Sequence, residues 1–234
     1  RLKRLRYLLA GLAVLVLVLA GGIAYLVIPR HDPQPLPPGL VALSSPQGQL
    51  LLRRASARDD YPELSAHFET QKLRSFCGVA SSVIVLRSLG RDVTQVTLVN
   101  ARAEAVRPLW RIAFGGMTLA QLAGILAAND VEVTRRHADR ATLDQFRTAV
   151  RRNLASDDDY LVVNYQRAQL GQPRRGHISP IAAYDRQGDS VLLLDTADYR
   201  YPPTWIPLPA LYRAMGEIDK DSGRSRGWVE VAPR

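Results

Sequence analysis

The hydrophobic and polar positions of this 234-residue chain fall into three regimes. Tyr7 to Ile28 runs without a charge and is rich in Leu, Val, Ala and Gly; about 20 such residues cross a bilayer as a helix. His31 to Pro38 holds four prolines in eight residues, a composition that forms a semi-rigid spacer. A stretch without period continues to about residue 60, and periodic elements follow. Val79, Ala80, Val83 and Leu86 share a helical face that ends before Gly90, predicting a helix over Cys77–Leu89 with Cys77 at its N-terminus. Two capping boxes, Thr118-Leu-Ala-Gln121 and Thr142-Leu-Asp-Gln145, open two further helices. The first ends near Asn129 and the second carries Leu143, Phe146, Val150 and Leu154. Val131-Glu-Val133 reads as a short strand between them, and strand signals follow at Tyr160–Tyr165, His177–Tyr184, Ser190–Asp195 and Trp228–Val231. Gln187-Gly188-Asp189 turns the middle two into a hairpin, and a short helix is expected around Leu208–Met215. Helices first and antiparallel strands later predict an α+β domain over 60–234. A basic flank and transmembrane anchor over 1–30 and a Pro-rich spacer and loose linker over 31–59 precede it. Trp110 is expected in the core, and Asp157–Asp159 as a solvated loop rather than a cation site, since three consecutive carboxylates do not face one point.

Arg1, Lys3, Arg4 and Arg6 precede the apolar run and Arg30 alone follows it closely. The positive-inside rule then places the N-terminus in the cytoplasm and the remaining chain outside it, expected to be a bacterial periplasm bounded by the inner membrane. A cleaved signal peptide is the rival reading. Its apolar region would be about 7–15 residues and end at a small-x-small site, so an uncleaved single-pass anchor through residues 7–28 is favoured.

The formal charge is +9, from 31 basic and 22 acidic residues. Five of the basic residues belong to the anchor flanks, leaving 26 against 22, and only Lys3, Lys72 and Lys220 are lysine. Scattered arginine of this kind is a solvated surface and not a nucleic-acid footprint. No internal repeat, Gly-rich phosphate loop or HExxH motif occurs, and neither a resident metal nor another cofactor is expected.

The single cysteine excludes an internal disulfide, a Cys-rich zinc site and a CxxC pair. Cys77 at a helix N-terminus is placed for a lowered thiol pKa, because unpaired N–H groups and the helix dipole favour the thiolate. Nucleophilic use of that thiol requires a histidine, and the histidine an orienting carboxylate or amide. His31 lies in the spacer, and His67 and His137 read as surface residues. His177 opens a strand behind Gly176, and Asp195 ends the partner strand. Strict alternation through the turn would put His177 and Asp195 on opposite faces, so a bulge or a different register is required, with Pro180 as the expected site of a bulge. Gln71, six residues before Cys77, can offer an amide to an oxyanion beside the Cys77 N–H.

Phe68-Glu-Thr-Gln71 through Cys77-Gly-Val-Ala-Ser-Ser82, Gly176-His177-Ile-Ser-Pro180, Leu194-Asp195, Tyr201-Pro-Pro-Thr-Trp205 and the tail from Ala214-Met215 to Gly223-Arg-Ser-Arg-Gly227 resemble, in order, phytochelatin synthase. The resemblance implies a papain-like cysteine peptidase fold, with Cys77 as nucleophile, His177 as base and acid, Asp195 as orienter and Gln71 as oxyanion donor. It further implies glutathione and γ-glutamyl peptides as substrates. The Cys–Gly bond would be cut through a γ-glutamylcysteinyl thioester, which is resolved by water or by a second glutathione. With one cysteine, the chain is similar to the short bacterial forms, linked mainly to hydrolysis, and dependence on Cd²⁺ or Zn²⁺ would arise through a metal-thiolate substrate. Gly176, Arg200, Arg226 and Asp219 are candidate substrate-binding residues, with Arg74 and Arg175 as further arginines for glutathione carboxylates. Asp219 and Arg226 have a plainer reading as a surface ion pair, and Tyr201–Trp205 as a rigid packed loop. Asp198 stands where the family carries a basic residue, and Arg200 is the compensating cation. Two other functions fit the same residues: a papain-like peptidase acting on other peptides, and a catalytically inactive thiol-peptide-binding component.

Overall fold

The computed structural model describes residues 2–156 and 158–234, so Arg1 of the basic flank and Asp157 of the acidic run lie outside the described residues, as do the side chains of Leu2, Leu5 and Leu8. The elements in chain order are α1 (Leu2–Val27), β1 (Val41–Ala42), α2 (Pro46–Arg54), α3 (Tyr61–Ala66), α4 (Cys77–Ser88), α5 (Ala101–Val106), α6 (Leu109–Gly115), α7 (Leu119–Ala127) and β2 (Val131–His137). After them come α8 (Leu143–Asn153), β3 (Tyr160–Gln166), β4 (Gly176–Asp185), β5 (Ser190–Leu193), β6 (Thr204–Pro207), α9 (Leu208–Gly216), β7 (Ile218–Asp219), β8 (Arg224–Ser225) and β9 (Gly227–Pro233). Residues Leu9–Val27 of α1 have a mean hydropathy of 2.5 and none of them is fully buried, so α1 is long and apolar enough to cross a membrane.

Seven strands form one antiparallel sheet in the order β1-β6-β5-β4-β3-β9-β2, and β7 and β8 form a separate ribbon. Alternation along each strand divides the sheet's side chains between two cores. Val162, Ile178, Leu192, Trp205 and Val229 join α4 and α7 on one face. Leu161, Val163, Val191, Ile206 and Trp228 join α8 and α9 on the other. The mixed helix and antiparallel sheet agree with the α+β expectation. Both capping boxes form, with Thr118 and Thr142 accepting from the Gln121 and Gln145 backbone N–H groups. Gly90 takes φ +72° after α4, where Arg91 N–H donates to Leu86 O at 2.8 Å and Gly90 N–H to Arg87 O at 2.9 Å, a pair of bonds that needs a left-handed residue.

Three expectations are corrected. The stretch to residue 59 is not a loose linker from residue 41 onward. Here β1 pairs with β6, Trp205 Nε1 donates to Gly48 O at 3.1 Å, Arg54 pairs with Asp185 at 2.7 Å, and Ala57 bridges Tyr184. These partners lie over a hundred residues away in the chain, and a local period does not register them. A Cβ on Gly48 would sit 2.0 Å from Ala42 O, so this close approach depends on glycine. Trp110 is 61% exposed and not in the core. Leu109, Ile112 and Ala113 take the inward face of α6, which leaves Trp110 and Phe114, four residues apart, on the outer one. His137, expected at the surface, is half-buried on β2 with Nδ1 2.6 Å from Ser225 O.

Candidate active site

Cys77 is the first residue of α4, whose first turn has no acidic residue and whose N-cap, Phe76, offers no side-chain bond. The first N–H groups of the helix therefore point, unneutralised, at the end where the thiol sits. Helix α4 packs on β4, and Ser81 Oγ donates to Ile178 O at 3.1 Å, which fixes the helix against the strand that starts Gly176-His177. The half-buried Cys77 thiol thereby shares one hollow with the His177 ring and Ile178, and both favour its anion.

A bulge lies between His177 and Asp195, two residues beyond Pro180. Ile181 pairs with Leu193 but Ala183 with Leu192, so Ala182 is the extra residue. Ala182 and Ala183 both enter the core of the α4 face, and the phase change restores His177 and Asp195 to one side. His177 Nε2 lies 2.8 Å from Asp195 Oδ1, and the Tyr165 ring packs edge-on against the imidazole at 5.7 Å.

Burial raises the Cys77 pKa, but the adjacent His177, Ile178 and the Arg167 charge outweigh it and hold the thiol below its ordinary value. Burial and Arg167 lower His177, but Asp195 and Cys77 prevail and raise it. Burial likewise raises Asp195, while Arg167 and His177 hold it well below the usual carboxylate range. The opposed shifts of Cys77 and His177 favour a thiolate–imidazolium pair. Iodoacetamide is therefore expected to alkylate Cys77 with a midpoint below the ~8.5 of a free thiol, since a lowered pKa makes the thiolate persist to lower pH. In His177→Asn the main opposing influence is gone, and the midpoint should move upward. Mass-spectrometric rate profiles against pH would check this, and superimposable profiles for the two proteins would refute it.

Sequence reasoning missed Arg167, which is buried just past the end of β3. Its Nη2 lies 2.8 Å from both oxygens of Asp195, Nη1 donates to Gln172 Oε1 at 2.6 Å, and the guanidinium rests 5.2 Å from the Tyr201 ring. No local pattern marks it: only the β3–β4 register, in which Gln166 faces Gly176, brings the next residue close to the His177 end of the sheet.

Two hollows share His177, Arg74, Arg174 and Arg175 in their walls. One, of about 550 Å³, holds Cys77, Gly176, Asp219 and Arg226. The expectation of a surface pair for the last two is corrected: each is 8% exposed, Arg226 Nη1 donates to Asn164 Oδ1 at 2.8 Å, and Asp219 Oδ2 lies 3.3 Å away. What approaches Gly176 is that guanidinium, since a Cβ there would meet Arg226 Nη1 at 2.8 Å. The other hollow, of about 520 Å³, is lined by Gln71, Arg167, Tyr199 and Arg200 together with residues 30–32. Gln71 is buried, with Nε2 donating to Leu73 O at 2.9 Å and reaching Tyr199 OH at 3.4 Å. Arg200 pairs with Asp32 at 3.0 Å. Asp198, which stands where the family carries a basic residue, lines neither hollow and accepts from Thr70 Oγ1 at 2.7 Å, whereas Arg200 lines the second hollow. Tyr201 and Trp205 are buried, but Thr204 and Trp205 belong to strand β6, so the expected loop is in part a strand.

Residues 31–228 match the family model described as Phytochelatin synthase. Among curated relatives, glutathione gamma-glutamylcysteinyltransferase 3 of Lotus japonicus is 30% identical over 207 residues, 85% of this chain and 43% of that protein. Glutathione gamma-glutamylcysteinyltransferase 2 of Arabidopsis thaliana is 30% identical over 206 residues, 84% of this chain and 46% of that protein. The glutathione gamma-glutamylcysteinyltransferase of Schizosaccharomyces pombe is 28% identical over 207 residues, 85% of this chain and 50% of that protein. The chain thus spans about half the length of the curated relatives it matches. The matched segment contains Cys77, His177, Asp195 and every other residue of the cleft described above except Leu26, Val27 and Arg30, and with it this chain belongs to the phytochelatin synthase family.

Proposed function

We propose that this protein is a membrane-anchored cysteine acyltransferase and hydrolase of papain-like arrangement that cleaves the Cys–Gly bond of glutathione. The observation that carries the reading is the Cys77–His177–Asp195 chain of contacts, with the thiol lowered and the imidazole raised, in an arginine-walled cleft. The relatives' name, glutathione gamma-glutamylcysteinyltransferase, supplies the substrate. Cys77 Sγ attacks the carbonyl of the Cys–Gly bond, His177 delivers its proton to the departing glycine nitrogen, and a γ-glutamylcysteinyl thioester remains. Water then attacks the thioester, or the amine of a second glutathione does. His177 takes the proton from the nucleophile, the C–S bond breaks, and γ-Glu-Cys or a phytochelatin leaves.

The Cys77 backbone N–H, without an intrahelical acceptor, is the first oxyanion donor. Gln71 joins it by exchanging its bond to Leu73 O. Arg226 and Arg175 face the thiol's hollow and suit the substrate's carboxylates. Cadmium or zinc enters this reading only as a metal thiolate of the substrate. Residues 7–28 hold the enzyme in a bacterial inner membrane, N-terminus inside, with the catalytic domain in the periplasm.

The test is incubation of the full chain in detergent with glutathione and, separately, with an α-linked Ala-Cys-Gly peptide, followed by quantitation of free glycine. Glycine from glutathione alone is expected. Glycine from the α-linked peptide alone would favour a general peptidase, and none from either a thiol-peptide-binding component.

A further inference from the structure

The acceptor step can be taken further from contacts that the membrane-proximal segment makes. Beyond α1 the chain does not leave the domain. Arg74 N–H and Nε donate to Val27 O and Ile28 O at 2.9 and 3.2 Å. Asp32 N–H donates to Tyr199 O at 3.0 Å and Gln34 N–H to Arg200 O at 2.9 Å, so residues 32–34 lie along the loop that follows Asp195 as an extra extended segment. The Asp32 carboxylate is held at both oxygens, Oδ1 by Gln34 Nε2 at 2.8 Å and Oδ2 by Arg200 Nη2 at 3.0 Å. It is the sole acidic side chain among the described residues lining a hollow that Arg30, Arg74, Arg174, Arg175 and Arg200 also line. The same hollow reaches the His177 ring.

We propose that this strap is one wall of an anion site for the acyl acceptor, and that Asp32 occupies Arg200 in place of the acceptor's carboxylate. The proposal rests on the thioester reading above. A ligand that displaces Asp32 must be an anion, and one that resolves a thioester beside His177 must carry a free amine, so the class is an amino acid or peptide with both groups. The amine nitrogen bonds to the thioester carbonyl, the C–S bond breaks, His177 takes the amine proton, and the Cys77 thiolate is restored beside the imidazolium. Water needs no Arg200. By holding Arg200, Asp32 therefore biases the enzyme toward hydrolysis.

The full chain in detergent, given glutathione, would be assayed by mass spectrometry for the ratio of (γ-Glu-Cys)₂-Gly to γ-Glu-Cys. Asp32→Asn should raise that ratio about threefold, the scale of a partly exposed ion pair. Asp32→Glu should restore it, and Arg200→Gln should abolish the response to Asp32→Asn. High salt should narrow the difference between wild type and Asp32→Asn. Glycine release with an unchanged ratio in Asp32→Asn, or an equal rise in the Arg200→Gln background, would overturn the proposal alone. No glycine from the wild type would overturn the thioester reading and the proposal with it.

Discussion

Replacing Cys77 by serine is expected to lower glycine release from glutathione by at least about 10⁴-fold, the scale seen when a nucleophile is removed from a set of residues that acts as a unit. The loss follows from proton affinity. The thiol is held below its ordinary pKa by His177, Ile178 and Arg167 against the cost of burial, whereas a serine hydroxyl in the same place stays protonated and gains no anion for the helix N-terminus to stabilise. The exchange of sulfur for oxygen at a half-buried position should leave thermal unfolding within about 2 °C of wild type. Retained activity with normal folding would remove Cys77 from the mechanism.

Arg167→Met is expected to destabilise the protein by about 3–5 kcal/mol, the cost of leaving a buried charge without its partner. For a chain of this size that is a fall in melting temperature of about 10 °C. Arg167 and Asp195 are both buried, and the guanidinium contacts both carboxylate oxygens. Without it the partners left to Asp195 among the described residues are His177 and the Ala197 N–H, which donates at 3.0 Å. Adding Asp195→Asn to Arg167→Met should recover part of the loss, since the orphaned charge then disappears; a non-additive cycle is the mark of this contact. Calorimetry on the four proteins would check it, and a melting temperature for Arg167→Met within about 2 °C of wild type would refute the argument.

The pair also affects the chemistry. Arg167 lowers the pKa of both His177 and Cys77, so it draws the two in the same direction while Asp195 draws His177 the other way. Arg167 thus acts on the thiol and the imidazole by its own charge as well as by holding Asp195.

Elements whose signals are local were legible in the chain itself. Helix α4, with Cys77 at its start and Gly90 past its end, both capping boxes and the strands β3, β4, β5 and β9 follow from period, caps and turn residues within a few positions of one another. Counting through one hairpin even required a bulge or a shifted register between His177 and Asp195; that it is a bulge, at Ala182 rather than Pro180, awaited the pairing of the strands. The apolar helix α1 is equally plain, because length and composition alone define it.

Tertiary structure decided what depends on distant partners. It joined β1 and α2 to β6 and β4, carried residues 32–34 to the loop of Arg200, buried Arg226 with Asp219 and Asn164, and set Arg167 on Asp195. A charged side chain has no period that reveals whether it will be solvated or paired, and its neighbours in space are chosen by the packing of the whole sheet. Chain chemistry alone therefore pointed to the thiol, His177 and Asp195 as candidates, while the buried Arg167 that sets their charge could be placed only once the strands were in register.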